Sequence, residues 1–274
     1  MIKSCVTIAL VPGLKTGPWI FWENLEESIG KAARLGFDGI ELFTPTADAV
    51  DPAALAERLK AAGIALAAVG TGAGKVLQGL TLTDADPAVR KRAVSFIADM
   101  ISFGARFGAP AIIGSMQGNA PAGVARETAF EWLAAGLATL AGHAEREGVP
   151  LLYEPLNRYE TNLLTTQEEA AAFLHSLGSR NLSLLADLFH MNIEEQSLPG
   201  AIRRVGAAIG HVHFADSNRR PVGMGHTPMQ EIADALRAVG YHGYVSAEAF
   251  PWPTPDEAAA QTMRAFRQFF PRRG

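Results

Sequence analysis

The sequence lacks the features that identify several large classes of protein. Cys5 is its one cysteine, so no disulfide can form within the chain, which is typical of a reducing compartment. No apolar run approaches the roughly 20 residues of a membrane-spanning helix. The apolar run 6–11 ends at Pro12 and Gly13, too early for the core of a signal peptide. We therefore expect a cytoplasmic protein with no membrane partner.

An excess of positive charge and the common nucleotide-binding motifs are also missing. The formal net charge is -4, and no basic run is longer than the three residues Arg90-Lys91-Arg92, so we expect no nucleic-acid partner. Residues 11–18, after the first apolar run, have neither a GxGxxG nor a GxxxxGK[ST] spacing. Residues 71–75, TGAGK, superficially suggest a phosphate loop, but the run is too short and no helix is expected directly after it.

The sequence does contain a regular alternation of short apolar runs and longer amphipathic runs, with no low-complexity linker between them. The apolar runs predict strands at 5–10, 39–43, 64–69, 111–114, 149–154, 183–187, 211–214 and 244–248. The amphipathic runs predict helices at 23–35, 52–62, 87–107, 125–147, 167–178, 199–208, 229–239 and 256–270. Asp51-Pro52 and Asp86-Pro87 each place a capping side chain before a proline, which is typical of a helix start.

This alternation predicts a fold class. Nearly continuous apolar strands separated by helices are typical of a parallel sheet that is buried on both faces, and eight strand–helix units close naturally into a barrel. The sequence therefore predicts one (β/α)8 TIM barrel domain over residues 1–274. The alternative is an open, doubly wound sheet, but that fold usually needs a glycine-rich turn after its first strand, and this turn is missing.

Four predicted strands end in side chains that can bind a metal. In such a barrel the active site lies at the carboxyl ends of the strands, where this chain has Glu154, Asp187, His213 and Glu248. Three carboxylates and one imidazole form a hard, oxygen-rich site that suits Mn²⁺, Mg²⁺ or Co²⁺. Burying three carboxylates together without a cation would cost several kcal/mol per charge. We therefore predict one bound divalent cation.

Further candidates flank these four positions. His190 lies three residues after Asp187 and could reach a substrate hydroxyl. Glu160 and Arg219 each follow a predicted ligand by six residues. Glu160 could hydrogen-bond the substrate or orient a ligand, and Arg219 could neutralise an enediolate or hold a hydroxyl. His211 is two residues before His213 on the same strand face but one layer deeper, so it is a candidate support for that ligand.

Trp19 and Trp22 follow the first predicted strand. Their rings could cover the apolar face of a sugar, although ordinary packing is an equally good interpretation for tryptophans in a loop and an early helix.

Several sequence runs resemble one known family. They are EPLNRYE at 154–160, DLFHMNIEE at 187–195, and HVH at 211–213, followed by SNRR at 217–220 and GMGH at 223–226. These runs resemble the xylose-isomerase-like barrels and, within them, sugar epimerases of the D-tagatose 3-epimerase type, which include the psicose epimerases. The resemblance covers the C-terminal half in detail, whereas the N-terminal half matches mainly in its strand–helix rhythm.

The resemblance has implications for the site residues. It implies that Glu154, Asp187, His213 and Glu248 bind a divalent metal, with Mn²⁺ preferred and Mg²⁺, Co²⁺ or Zn²⁺ as alternatives. It also implies that Glu154 and Glu248 exchange protons with the substrate carbon. Its further implied substrate contacts are Glu160, His190 and Arg219.

The expected reaction is inversion at carbon 3 of a free keto sugar through an enediolate. A cation that binds the carbonyl and the adjacent hydroxyl oxygen would stabilise this intermediate. The same ligands would also serve an aldose–ketose isomerase, a hydroxypyruvate isomerase or an inosose dehydratase, and these alternatives stay open.

Two other classes fit the sequence less well. A DNA-repair endonuclease of related shape would need a histidine-rich zinc cluster and a basic groove. A non-catalytic sugar-binding module would not need paired carboxylates around a metal.

The loop after the last predicted strand, 249–255, contains Pro251, Pro253 and Pro255, which remove amide donors that a phosphate cradle requires. We therefore expect a substrate without a phosphate group. A homo-oligomer is compatible with the sequence.

Overall fold

The computed structural model describes residues 1–12, 14, 16–22 and 24–271. Its centre is a ring of parallel strands: β1 (Lys3–Ala9), β2 (Gly39–Phe43), β3 (Ala65–Gly70), β4 (Ala111–Ile113), β5 (Leu151–Tyr153), β6 (Leu182–Asp187), β7 (Ile209–His213) and β8 (Tyr244–Ala247). Neighbours in sequence are neighbours in space, and β1 also pairs with β8. The ring is therefore closed, which confirms the predicted (β/α)8 barrel and contradicts the open-sheet alternative.

Helices surround this barrel. They are α1 (Leu25–Leu35), α2 (Pro52–Ala62), α3 (Ala73–Gln78), α4 (Pro87–Ala105), α5 (Arg126–Glu147), α6 (Gln167–Ser176), α7 (Leu188–Glu194), α8 (Leu198–Val205), α9 (Met229–Ala238) and α10 (Pro255–Phe269). The carboxylates of Asp51 and Asp86 accept hydrogen bonds from the amides of Ala53 and Ala88, as their positions before proline predicted. None of the helices in the described part of the chain has the length and apolar character of a membrane span.

The eight strands of the ring agree with the predicted ones to within two residues at each end. A further strand of two residues, Phe21–Trp22, pairs with β1 and was not predicted. Three positions bearing on the sequence predictions, Gly13, Lys15 and Glu23, lie outside the described residues, as do 272–274. Two short helices, α3 and α7, were not predicted, because a helix of six or seven residues completes too few turns to show the 3.6-residue period.

The expectation for residues 71–75 was wrong in one respect, because helix α3 begins within this run at Ala73. The run is nevertheless used for packing. The Thr71 hydroxyl donates to the Ile112 carbonyl oxygen at 2.6 Å. A Cβ at Gly72 would lie 3.1 Å from both the Phe43 ring and the Ser115 hydroxyl. The absence of a side chain at Gly72 therefore allows its backbone to pack closely against these two residues.

The barrel interior has two chemically different halves. Strands β3 to β6 contribute Ala68, Ile112, Leu152 and Leu185, which form a buried apolar cluster of their own. Strand side chains alternate in direction, so Leu152 and Leu185 lie one layer below Glu154 and Asp187 on the same faces. We call this cluster the apolar floor.

The other half of the interior comes from β7, β8, β1 and β2. It contains His211, Ser246, Cys5 and Glu41, and all four are between 0% and 5% exposed. We call these residues the polar half. The two halves together position the residues at the mouth of the barrel.

Candidate metal centre

Four side chains converge at the carboxyl end of the barrel. Asp187 and His213 are the last residues of β6 and β7, and Glu154 and Glu248 directly follow β5 and β8. Each offers one potential ligand atom, and the four atoms lie within 4.8 Å of one another. The chain therefore brings together at one point four residues that are up to 94 positions apart in sequence, from Glu154 to Glu248.

The Nδ1 atom of His213 lies at the centre of this cluster. It is 3.2 Å from Glu154 Oε1, 3.2 Å from Asp187 Oδ2 and 3.3 Å from Glu248 Oε2. Although His213 is close, the buried Glu154 Oε1 makes no hydrogen bond of good geometry with any described residue. A buried oxygen without a hydrogen-bond partner, among three carboxylates and one imidazole, fits a hard divalent cation.

Proton affinities in the cluster are strongly perturbed. Burial, reinforced by the charges of Glu248 and Asp187, raises the pKa of Glu154 to about 8. Burial alone would raise the pKa of Asp187 and lower that of His213, but the facing charges reverse both effects. The pKa of Asp187 is therefore lowered and that of His213 is raised, so without a cation the imidazole holds the proton that neutralises part of the cluster.

Arg219 stands beside this cluster. Its Nη2 atom donates to Glu248 Oε2 and lies 3.4 Å from Asp187 Oδ2, while the guanidinium covers the Phe189 ring at 4.6 Å. Its backbone has a φ of 57°, in the left-handed region that residues other than glycine seldom adopt. Its Nε atom is buried without a hydrogen-bond partner among the described residues. This leaves one donor available to a ligand in the cavity.

His190 lies next to Arg219 and is oriented by Asn157. The amide nitrogens of Asn157, Nδ2 and the backbone N, are 2.7 and 3.3 Å from His190 Nδ1. Asn157 Nδ2 also donates to Glu160 Oε1, and Asn157 Oδ1 accepts from the amide of Tyr159. With its amide held this way, Asn157 presents donors to Nδ1, so this nitrogen accepts hydrogen bonds in a neutral ring, while Nε2 lies 3.3 Å from Arg219 Nη1, which can only donate. Burial lowers the pKa of His190, which favours this neutral form.

The three predicted substrate contacts therefore differ in their surroundings. His190 and Arg219 are buried beside the acidic cluster, whereas the Glu160 side chain is 45% exposed and lies 3.8 Å from His190 Nδ1. Glu160 orients Asn157 and so acts on His190 through it. Asn157 was not singled out from the sequence, since its role depends on a histidine that is 33 residues away.

One cavity of about 430 Å³ is lined by six of these residues, Glu154, Glu160, His190, His213, Arg219 and Glu248. The cavity is also lined by Trp19 and Phe43, whose rings pack at 4.4 Å. Trp19 therefore lines the cavity, where its ring could cover the apolar face of a sugar, as one of its two interpretations from the sequence requires. Trp22 is not among the described residues that line the cavity, and it packs edge-on against Trp19 at 5.2 Å.

One further residue of this site was missed from the sequence. Glu41 lines the cavity wall and is 5% exposed, and its carboxylate lies against His211 and His213. The available signal was an acidic residue in the middle of an apolar strand, GIELF at 39–43. A charged residue in such a run is almost never fully buried without a partner.

Comparison with known proteins gives consistent matches. Residues 29–269 match a family model described as xylose isomerase-like TIM barrel. The chain is 33% identical over 252 residues to L-ribulose 3-epimerase of Mesorhizobium japonicum, covering 90% of this chain and 82% of that protein. It is 36% identical over 229 residues to D-psicose 3-epimerase of Agrobacterium fabrum, covering 81% and 78%. A solved structure of L-ribulose 3-epimerase superposes with a TM-score of 0.83 at 29% identity, covering 98% of this chain and 94% of that one.

Proposed function

This chain belongs to the xylose isomerase-like TIM barrel family, and we propose that it is a ketose 3-epimerase that depends on one divalent cation. The proposed ligands are Glu154, Asp187, His213 and Glu248, and the proposed ion is Mn²⁺. The proposed substrate is a free keto sugar, inverted at carbon 3 through an enediolate. The names of the relatives, L-ribulose 3-epimerase and D-psicose 3-epimerase, support this reaction class.

The observation that carries the proposal is the placement of two carboxylates around one point. Glu154 and Glu248 extend from β5 and β8, which are three strands apart in the ring, and both face the cavity. Their nearer oxygens lie 3.2 and 3.3 Å from the same His213 nitrogen. Inversion at a carbon requires removal of a proton on one face and its return on the other. Two carboxylates on separate sides of one site supply both steps.

The other residues have supporting roles in this mechanism. When bound, a divalent cation supplies Lewis-acid polarisation of the substrate carbonyl, which makes the adjacent carbon more acidic. The free Arg219 Nε–H donates to a substrate oxygen, and His190 contacts the substrate beside it in the same cavity. The rings of Trp19 and Phe43 give the cavity an apolar surface that excludes water.

The loop after β7 supports a substrate without phosphate. In many barrels the backbone amides of this loop bind phosphate. Here the Asp216 carboxylate accepts hydrogen bonds from the amides of Ser217, Gly223 and Thr227, at 2.8, 2.8 and 3.0 Å. An internal anion already uses the donors that a phosphate would need, and the prolines after β8 remove others. The buried Cys5 thiol supports the proposal of a reducing, cytoplasmic location.

One experiment tests the proposed reaction directly. The Mn²⁺-loaded protein is incubated in deuterated water with free D-psicose, L-ribulose, D-fructose and D-tagatose, and the deuterium is located by NMR. We expect the 3-epimer to form with deuterium at carbon 3, and no exchange in a sample treated with EDTA. Deuterium at carbon 1 or 2 alone would identify an aldose–ketose isomerase instead. A preference for a ketose phosphate over its free sugar would contradict the proposed substrate class.

A further inference from the structure

Glu41 is a buried carboxylate that contacts two imidazoles from the opposite side of the barrel. Its Oε2 atom lies 2.9 Å from His211 Nε2, and its Oε1 atom lies 3.2 Å from His213 Nε2. Glu41 is 5% exposed, and both histidines are 1% exposed. The contact joins β2 to β7 across the interior and links residues 172 positions apart.

This contact determines which nitrogen of His213 carries a hydrogen. An ionised carboxylate only accepts hydrogen bonds, so the Nε2 atoms of His211 and His213 must both donate. In a neutral His213 ring, the Nδ1 atom then keeps its lone pair. Nδ1 is the nitrogen that faces Glu154, Asp187 and Glu248. The lone pair of His213 is therefore directed into the acidic cluster.

His211 completes the arrangement. It occupies the second oxygen of Glu41, so the carboxylate cannot rotate to offer both oxygens to His213. The two imidazole rings are edge-on, with centroids 5.7 Å apart, which keeps each ring aligned with its own oxygen. His211 is not one of the four residues of the acidic cluster, and its Nε2 atom pairs with Glu41.

We propose that Glu41, oriented by His211, is the positioning residue that holds His213 in the Nε2–H tautomer and thereby sets the affinity of the centre for its cation. This inference rests on the proposed cation site and assigns a role to a residue outside the ligand set. A carboxylate behind a ligating histidine fixes the orientation of the ring and raises its basicity, and loss of such a partner typically weakens metal binding about 10- to 100-fold.

The decisive variant is Glu41→Gln. Glutamine keeps the shape of the side chain but replaces one acceptor oxygen with a donor and removes the charge, so it cannot accept from both rings. The dissociation constant for Mn²⁺ is measured by calorimetry, with chelator competition where binding is tight. We expect it to rise about 10- to 100-fold. At saturating Mn²⁺, most of the catalytic rate should return, since the residue acts through affinity.

A matched control is Glu194→Gln. Its side chain is also 5% exposed, but it pairs with Arg158 rather than with a proposed ligand. We expect its Mn²⁺ affinity to stay within about twofold of the wild type, because nothing behind a ligating nitrogen changes. Equal weakening in both variants would show that any buried glutamate-to-glutamine change disturbs the site, and it would overturn the specific role of Glu41.

A measurement on the unaltered protein covers the case in which Glu41→Gln fails to fold. Long-range ¹H–¹⁵N NMR of the Zn²⁺-loaded wild type reports the tautomer of each histidine, with the His213 signals assigned from a His213→Gln sample. We expect hydrogen on Nε2 of His213. Hydrogen on Nδ1 would overturn the proposal.

The binding data also separate this inference from the proposed function. A wild type that binds no divalent cation would contradict both. A wild type that binds one cation, together with Glu41→Gln of equal affinity, would contradict only the role of Glu41. Two cations in the wild type, of which Glu41→Gln loses one, would make Glu41, His211 and His213 a second metal site and would also overturn the positioning role.

Discussion

The two halves of the barrel interior are equally buried but chemically opposite. Strands β3 to β6 place Ala68, Ile112, Leu152 and Leu185 below the acidic cluster, whereas β7, β8, β1 and β2 place His211, Ser246, Cys5 and Glu41 there. Each half contributes two of the four residues in the cluster. The comparison shows two ways in which a barrel prepares a charged site.

The apolar floor acts through desolvation. It offers no polar partner to Glu154, and burial is the largest cause of the raised pKa of this carboxyl group. The polar half acts through orientation, since Glu41 accepts a hydrogen bond from the nitrogen of His213 that faces away from the cluster. The carboxylate that we propose exchanges a proton therefore lies above apolar side chains, and the imidazole that we propose as a metal ligand lies beside a hydrogen-bonded network.

The largest expected effect comes from the proposed proton-transfer pair, which has one member in each half. Glu154→Gln and Glu248→Gln should each lower turnover by roughly 10²- to 10⁴-fold, because glutamine cannot exchange a proton with carbon. Turnover is measured at saturating Mn²⁺, and bound metal is quantified in each variant. Near-normal turnover in either metal-loaded variant would remove that residue from the proposed pair.

The next largest effect is expected from a truncation in the apolar floor. Leu152→Ala should lower the free energy of unfolding by about 2–5 kcal/mol, as is usual for a truncated core leucine. It should also lower the pKa of Glu154 towards the ordinary value, because water can enter below the carboxyl group. Denaturant unfolding gives the first quantity, and the pH dependence of Mn²⁺ binding gives the second.

A matched control for this variant is Leu174→Ala in α6, which removes another buried leucine side chain away from the site. It should show the loss of stability without the change in pH dependence. Identical pH profiles for both variants would mean that the floor does not desolvate Glu154.

A smaller effect should follow from adding a methyl group to the apolar half. A Cβ at Gly114 would lie 2.2 Å from Glu154 Oε2, so Gly114→Ala must displace the carboxylate. Because the displaced group is the end of a side chain, stability should change little. The rate of turnover should fall roughly 10- to 100-fold, as for other catalytic groups displaced by about 1 Å. An unchanged rate together with unchanged stability would show that Glu154 does not need this position.

Binding of the cation should also release protons. At pH 7 without metal, Glu154, with a pKa of about 8, and His213, whose pKa is raised, both hold a proton that a ligand must lose. Apparent Mn²⁺ affinity should therefore rise as the pH rises towards about 8 and fall at lower pH. Calorimetry in buffers of different ionisation enthalpy counts the released protons, and zero release would contradict this assignment.

The smallest effect is expected in the polar half. Ser246 is fully buried, and its hydroxyl has no hydrogen-bond partner of good geometry among the described residues. Ser246→Ala should therefore change the free energy of unfolding by no more than about 1 kcal/mol. Denaturant unfolding measures this change. A larger loss would show that the hydroxyl has a structural role in the network beside Glu41.

The sequence was sufficient for the barrel and for the residues at its strand ends. Apolar strands and amphipathic helices are local patterns, and a strand end such as Asp187 can be read directly after its apolar run. Glu41 and Asn157 were missed because each acts on a histidine in a distant strand or helix, so no local pattern records the contact. The same reason applies to Gly114, whose missing side chain matters only because Glu154 lies against it.

The position of Cys5 gives this chain an internal reporter. The thiol is completely buried in the polar half, and burial raises its pKa well above the ordinary value, so a thiol reagent cannot reach a reactive thiolate in the closed barrel. Since it is the one cysteine in the chain, its labelling rate measures how often the strands around the site separate. The labelling rate of this thiol would thus report how often the barrel opens locally. A ligand that slows the labelling would be identified as one that stabilises the closed barrel.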